Sequence, residues 1–172
     1  MLNAAKIATA TGVALWLGLI ALGNAVDYPT NFEFVQHVMS MDTTFPGNRL
    51  MGRAITASWA HHAGYALIIA VEWLIALLCG WGAVELLRAR RQPGRLAKGR
   101  RLVAAGYLAG ILLFFVGFLA IGGEWFAMWQ SATWNGVDAA FRAVVILALF
   151  LIILYLPDPD EAADRKGNAR VP

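Results

Sequence analysis

A chain of 172 residues in which 59% are hydrophobic and only 15% are charged is more apolar than soluble domains are. A water-soluble helical bundle keeps a polar face on every helix; long stretches of this chain have none, so hydrocarbon is the expected solvent. The net charge of +3 is gathered mainly in one segment between apolar runs, which argues against nucleic acid and for anionic headgroups as its neighbours.

The chain opens with the weakly basic Met1–Lys6 and an apolar run from Ile7 to about Val26. Gly23-Asn24-Ala25 would pass as a signal cleavage site, but the run exceeds the roughly 7–15 residues of an ordinary signal core, so an uncleaved first span over about 5–26 is expected. Residues 27–58 form the longest polar segment. Within it, Thr30 stands three residues before Glu33, a capping-box spacing. Phe32, Val35, Val38 and Met39 share one helical face, while Glu33, Gln36 and Ser40 lie elsewhere. The pattern predicts a short amphipathic helix on the membrane surface or across the bundle mouth, ended by Phe45-Pro46-Gly47-Asn48.

The second span is expected over 59–87, with His61 and His62 near its start and Glu72 near its middle. The segment 88–101 then holds seven of the fourteen Lys and Arg residues and a Pro93-Gly94 breaker. Basic residues in short loops are retained on the cytoplasmic side, so this segment organises the chain as two helical hairpins. The third span, 102–123, carries Gly106, Gly110 and Gly117 on one face, a stripe that lets another backbone approach. In the outer loop 124–135, Trp125, Trp129 and Trp134 mark a water–lipid boundary. Asn135-Gly136 is a turn signal, with Asn135 placed to cap a fourth span over 136–156 and Asp138 in its first turn. Residues 157–172 read as a disordered cytoplasmic tail.

The expected fold class is therefore all-α: a polytopic four-transmembrane-helix bundle with an amphipathic helix in its first outer loop. Lys6, the basic loop, Arg165, Lys166 and Arg170 fall on one side; only Arg49, Arg53 and Arg142 fall on the other. That asymmetry predicts cytoplasmic termini in a bacterial inner membrane. The outer segment Asn24-Ala-Val-Asp-Tyr-Pro-Thr-Asn-Phe-Glu-Phe-Val-Gln-His-Val-Met-Ser-Met-Asp-Thr-Thr-Phe-Pro-Gly47 resembles a bacterial family of predicted small integral membrane proteins of unknown function. The likeness covers all four spans and implies fold and location. It implies no activity or cofactor.

Glu72 is the first candidate for a functional residue. A carboxylate near the bilayer midplane costs roughly 2.5–3.5 kcal/mol on insertion scales, so it must face protein and be neutralised or hydrogen-bonded. Trp16 on the first span is a partner at that depth, as is a group on another subunit. Pinning a helix contact is the bland role; a proton or ion relay is the functional one. Glu124, Asp138 and Arg142 form a second candidate, an outer charge cluster locking the last two spans or holding an anion bidentately. His37, His61 and His62 with Met39 and Met41 offer imidazole and thioether ligands that suit copper(I). Adjacent His61 and His62 diverge by about 100° on a helix, Met39 suits packing, and no other span supplies a histidine for haem.

Cys79 lies in an apolar run where a thiol is inert, and no nucleophile elbow or phosphate loop occurs, so no enzyme, and no cofactor beyond that minor metal reading, is expected. The leading expectation is a non-enzymatic accessory or assembly subunit, whose partners are the bilayer, other inner-membrane subunits or a second copy. A carrier or channel using Glu72 is the first alternative, although no proline interrupts any span as transporters often require. A periplasm-facing metal-binding protein is the second.

Overall fold

The computed structural model describes residues 2–157, and the expected tail lies outside them apart from Pro157. All regular structure among these residues is helical. Four helices are long and apolar enough to cross a membrane: Leu2–Val26, Ser58–Ala89, Leu96–Trp125 and Val137–Tyr155. Their outward faces stay uncovered, as Leu15, Leu19, Leu77 and Ile152 show by being at least 60% exposed. In water this surface would drive aggregation; in lipid it needs no partner.

Helix α1 (Leu2–Val26) buries Lys6, Ala10, Val13, Leu17, Ala21 and Asn24, residues three or four apart and hence on one face. It runs almost directly into α2 (Tyr28–Ser40), because the Asp27 amide still donates to the Gly23 carbonyl at 2.8 Å. The expected capping box is not used. The helix starts before Thr30, whose hydroxyl donates to the Asp27 carboxyl at 2.8 Å, and Pro29 occupies the first turn, where its missing N–H costs nothing. The end also comes earlier than Phe45: Met41 adopts a left-handed conformation (φ 55°) and closes the helix through its amide to Val38.

Helix α3 (Ser58–Ala89) is central and packs chiefly on α1 and α4. The basic segment is not all loop. A 3-10 turn, Pro93–Arg95, leads into α4 (Leu96–Leu112), so Lys98, Arg100 and Arg101 ride on the extended foot of the third span, where such residues are good helix formers. Close approach of α3 and α4 depends on glycine. A Cβ on Gly106 would sit 2.5 Å from the Cys79 sulfur, and one on Gly82 would sit 2.5 Å from Val103 Cγ2 and 2.9 Å from its backbone nitrogen. Gly110 meets Leu147 of the last helix in the same way, whereas Gly117 meets only Leu113 of its own helix. Gly82 of α3 and Gly99 at the foot of α4 also lie at this close approach, whereas Gly117 does not.

Beyond Leu112 the third span changes its winding. Leu113–Trp125 is a π-helix, closed by the Phe126 amide donating to Ile121, five residues back. Helix α5 (Val137–Tyr155) follows with Gly136 at its N-cap. Asn135 is displaced from that position, yet its side-chain oxygen accepts the Val137 amide at 3.1 Å. At the other end of α5, the buried Lys6 ammonium donates to the Leu156 carbonyl at 2.7 Å, a cation placed where the helix dipole is negative.

The loops at the α2 end form a small cap with its own core of Val38, Met41, Phe126, Ala127 and Met128. Thr43 and Ser131 hydroxyls meet at 2.8 Å, and the Phe45 amide donates to Gln130 at 3.1 Å. Helix α2 lies across the bundle mouth: Tyr28 and Phe32 pack on α3, while Phe34 reaches Phe118 of the π segment and Gly136 before α5.

Candidate functional site

Beneath α2 the bundle holds a half-open cavity of about 300 Å³. Its walls are apolar and aromatic, with Trp16 and Ile20 from α1, Phe34 from α2, Phe114 and Phe118 from the π segment and Ala140 from α5. Trp16 and Phe114 stack with centroids 6.3 Å apart. A few polar groups converge on this space: Glu72 and Tyr65 from α3, Asn24 from α1 and Asn31 from α2. An apolar pocket with few placed polar groups is the usual form of a small-molecule site.

The polar groups are connected. Exposed Asn31 donates its side-chain amide to the Asn24 oxygen at 2.7 Å. Buried Asn24 donates in turn to Glu72 Oε2 at 2.8 Å, and the Tyr65 hydroxyl donates to the Asn24 backbone carbonyl at 3.2 Å. Glu72 is 3% exposed. Among the described residues the Asn24 amide is its only hydrogen-bond donor, and no Lys, Arg or His pairs with it. Trp16 shares the cavity wall with Glu72 but is not its hydrogen-bond partner; the partner is Asn24, lying near the end of α1 where the chain turns into α2.

The other expected groupings separate. Glu124, Asp138 and Arg142 are all exposed, and among the described residues they form no ion pair with one another. The Glu124 backbone carbonyl instead accepts from Arg53 at 3.4 Å, whose guanidinium lies 4.8 Å from the Trp125 ring centre. The three histidines are each engaged elsewhere. His37 meets the Asp42 carboxyl at 2.8 Å and stacks on Trp134. His61, buried, meets the Ile55 carbonyl at 2.7 Å, and His62 meets the Tyr28 hydroxyl at 2.9 Å while stacking on Phe32. Met39 packs on Gly64 and Met41 sits in the cap core. Among the described residues no three His, Cys, Asp or Glu side chains come together as a ligand set.

Sequence reasoning missed Glu85. It is 2% exposed, accepts from Arg95 at 2.9 Å and Lys98 at 3.3 Å, and also from the Trp81 indole at 3.1 Å. The signal was present: a carboxylate inside the apolar run, three residues before Arg88 and four after Trp81.

Residues 2–157 match the family described as predicted small integral membrane protein (DUF2165), and the chain belongs to that family. The family's function is unknown; its description as an integral membrane protein agrees with the four long apolar helices. No curated protein and no solved structure matches the chain.

Proposed function

We propose that this protein is a small membrane carrier in which Glu72 exchanges a proton for a cation bearing an apolar body. One observation carries the reading: an acid almost wholly withdrawn from solvent faces a cavity with no basic side chain against it. A lone buried carboxylate is stable only when a proton or cation neutralises it. The aromatic walls favour a cation with an apolar substituent, since ring faces attract positive charge. A bare metal ion would find too few oxygen ligands here. The exposed-to-buried order Asn31, Asn24, Glu72 marks the α2 end as the side of approach.

Absence of proline in the spans does not weigh against a carrier, because the π segment already breaks regular α-winding beside the cavity. Such departures frequently accompany functional sites. In this reading the α2 end faces the periplasm of a bacterial inner membrane, with both termini and the arginine-rich segment inside. The test is flux. Liposomes containing the purified protein and a pH-sensitive dye should show proton movement when benzyltrimethylammonium is placed on one side. Glu72→Gln should abolish it; unchanged flux in that variant refutes the proposal.

A second reading, an accessory subunit of a membrane complex, would seat a companion span in place of lipid on the uncovered face of α5, where Phe141, Leu149 and Ile152 are each more than half exposed. It requires specific companions. Isolation in mild detergent should then recover the same membrane proteins each time, and recovery of the chain alone counts against it.

A further inference from the structure

At the basic end, charge is distributed unevenly. Glu85 takes up Arg95 and Lys98, and Arg88 stands 3.9 Å from the same carboxyl while remaining largely exposed. Arg90 and Arg91, at the exposed end of α3, have no acidic partner among the described residues. These three arginines and Leu87 line a cavity of about 380 Å³. A second cavity, of about 290 Å³, runs between α1 and α3 along Thr11, Ala14, Gly80, Ala83 and Val84, and it too ends on Leu87. Small residues let the two helices approach here, a Cβ on Gly80 lying 3.7 Å from that of Ala14, and Ile7, Leu15 and Leu87 complete the apolar lining.

An apolar furrow that meets, at Leu87, a cluster of exposed guanidinium groups, two of them without an acidic partner among the described residues, complements the shape and charge of a phospholipid. We propose that it binds one anionic phospholipid, with an acyl chain along Thr11, Ala14 and Gly80 and the phosphate held by Arg88, Arg90 and Arg91. Guanidinium groups suit this task because their planar donors engage phosphate oxygens in pairs. The furrow selects a lipid over a free anion, since only a lipid brings an apolar chain to Leu87. Arg95 and Lys98, committed to Glu85, hold the foot of α4 in place and leave the three arginines on the lipid side. The site is separate from the Glu72 cavity and does not depend on what that cavity binds.

The test is native mass spectrometry of the full chain released from detergent containing equal amounts of phosphatidylglycerol and phosphatidylcholine, with unfolding temperature measured in parallel. Wild type should retain one phosphatidylglycerol in preference to phosphatidylcholine and unfold at a higher temperature when it is present. Arg90→Gln with Arg91→Gln should bind it roughly tenfold or more weakly, because two of the three basic groups facing the phosphate are lost. Thr11→Phe, placed at an exposed position so that the fold is spared, should weaken retention while leaving the lipid-free unfolding temperature unchanged. Equal retention of the two lipids, indifference to either variant, or the same stabilisation by inorganic phosphate alone would each overturn the proposal.

Discussion

Asn24 and Glu72 are 48 positions apart in the chain and 2.8 Å apart in the fold. The bond joins the outermost buried position of α1 to the middle of α3, and Asn31 extends it into α2. The mouth helix, the first hairpin and the cavity are thus fastened at one carboxyl group. Asn24→Ala should leave Glu72 without its donor and destabilise the protein by about 1–3 kcal/mol. Thermal unfolding in detergent checks this; an unchanged midpoint would mean that the bond contributes nothing.

The α3–α4 seam should tolerate no side chain at Gly106. Gly106→Leu would push into the Cys79 sulfur and backbone, and overpacking of this kind costs about 1–3 kcal/mol or more. Gly117→Leu, which meets only Leu113 at 3.8 Å, should be nearly neutral. Unfolding midpoints for the two variants side by side decide the matter; equal losses would contradict the seam described here.

Glu85 should control the order of the basic segment. Replacing it by Gln removes the charge that holds Arg95 and Lys98, so limited trypsin digestion should cut between Arg88 and Arg101 faster than in wild type. Raised salt should speed cleavage of the wild type less than this substitution does, since screening acts weakly on a buried carboxylate. Equal cleavage rates would show that the ion pairs do not restrain the segment.

Sidedness has its own test. In living cells an impermeant maleimide should label Asn48→Cys from outside and leave Arg91→Cys unlabelled, the native Cys79 being wholly buried. The opposite pattern would invert the proposed orientation.

Much of the fold was legible because hydrocarbon imposes a crude rule: about twenty apolar residues in a row. The runs before Asp27, after Ser58, after Leu102 and after Gly136 obey it. The site was legible only in part. Glu72 stands out as an acid in an apolar run, but its partner does not, since Asn24 lies at a span's edge where an amide attracts no notice. Only the near-continuous passage of α1 into α2 at Asp27 brings Asn24 and Asn31 over α3. The i,i+4 spacing of Asp138 and Arg142 permits a contact without requiring one, and both side chains turn outward. Thr30 and Glu33 carry a capping signal that the helix overrides by starting two residues earlier, at Tyr28. The π-winding of Leu113–Trp125 has no local pattern that distinguishes it from α-helical apolar sequence.

The most direct test of the Glu72 cavity is calorimetric titration of the purified protein with benzyltrimethylammonium, whose charge does not vary with pH, in two buffers of different ionisation enthalpy. Saturable binding with release of a proton, lost in Glu72→Gln, is the result expected from exchange at that carboxyl. Binding that persists unchanged in Glu72→Gln, or no binding by the wild type, would contradict it.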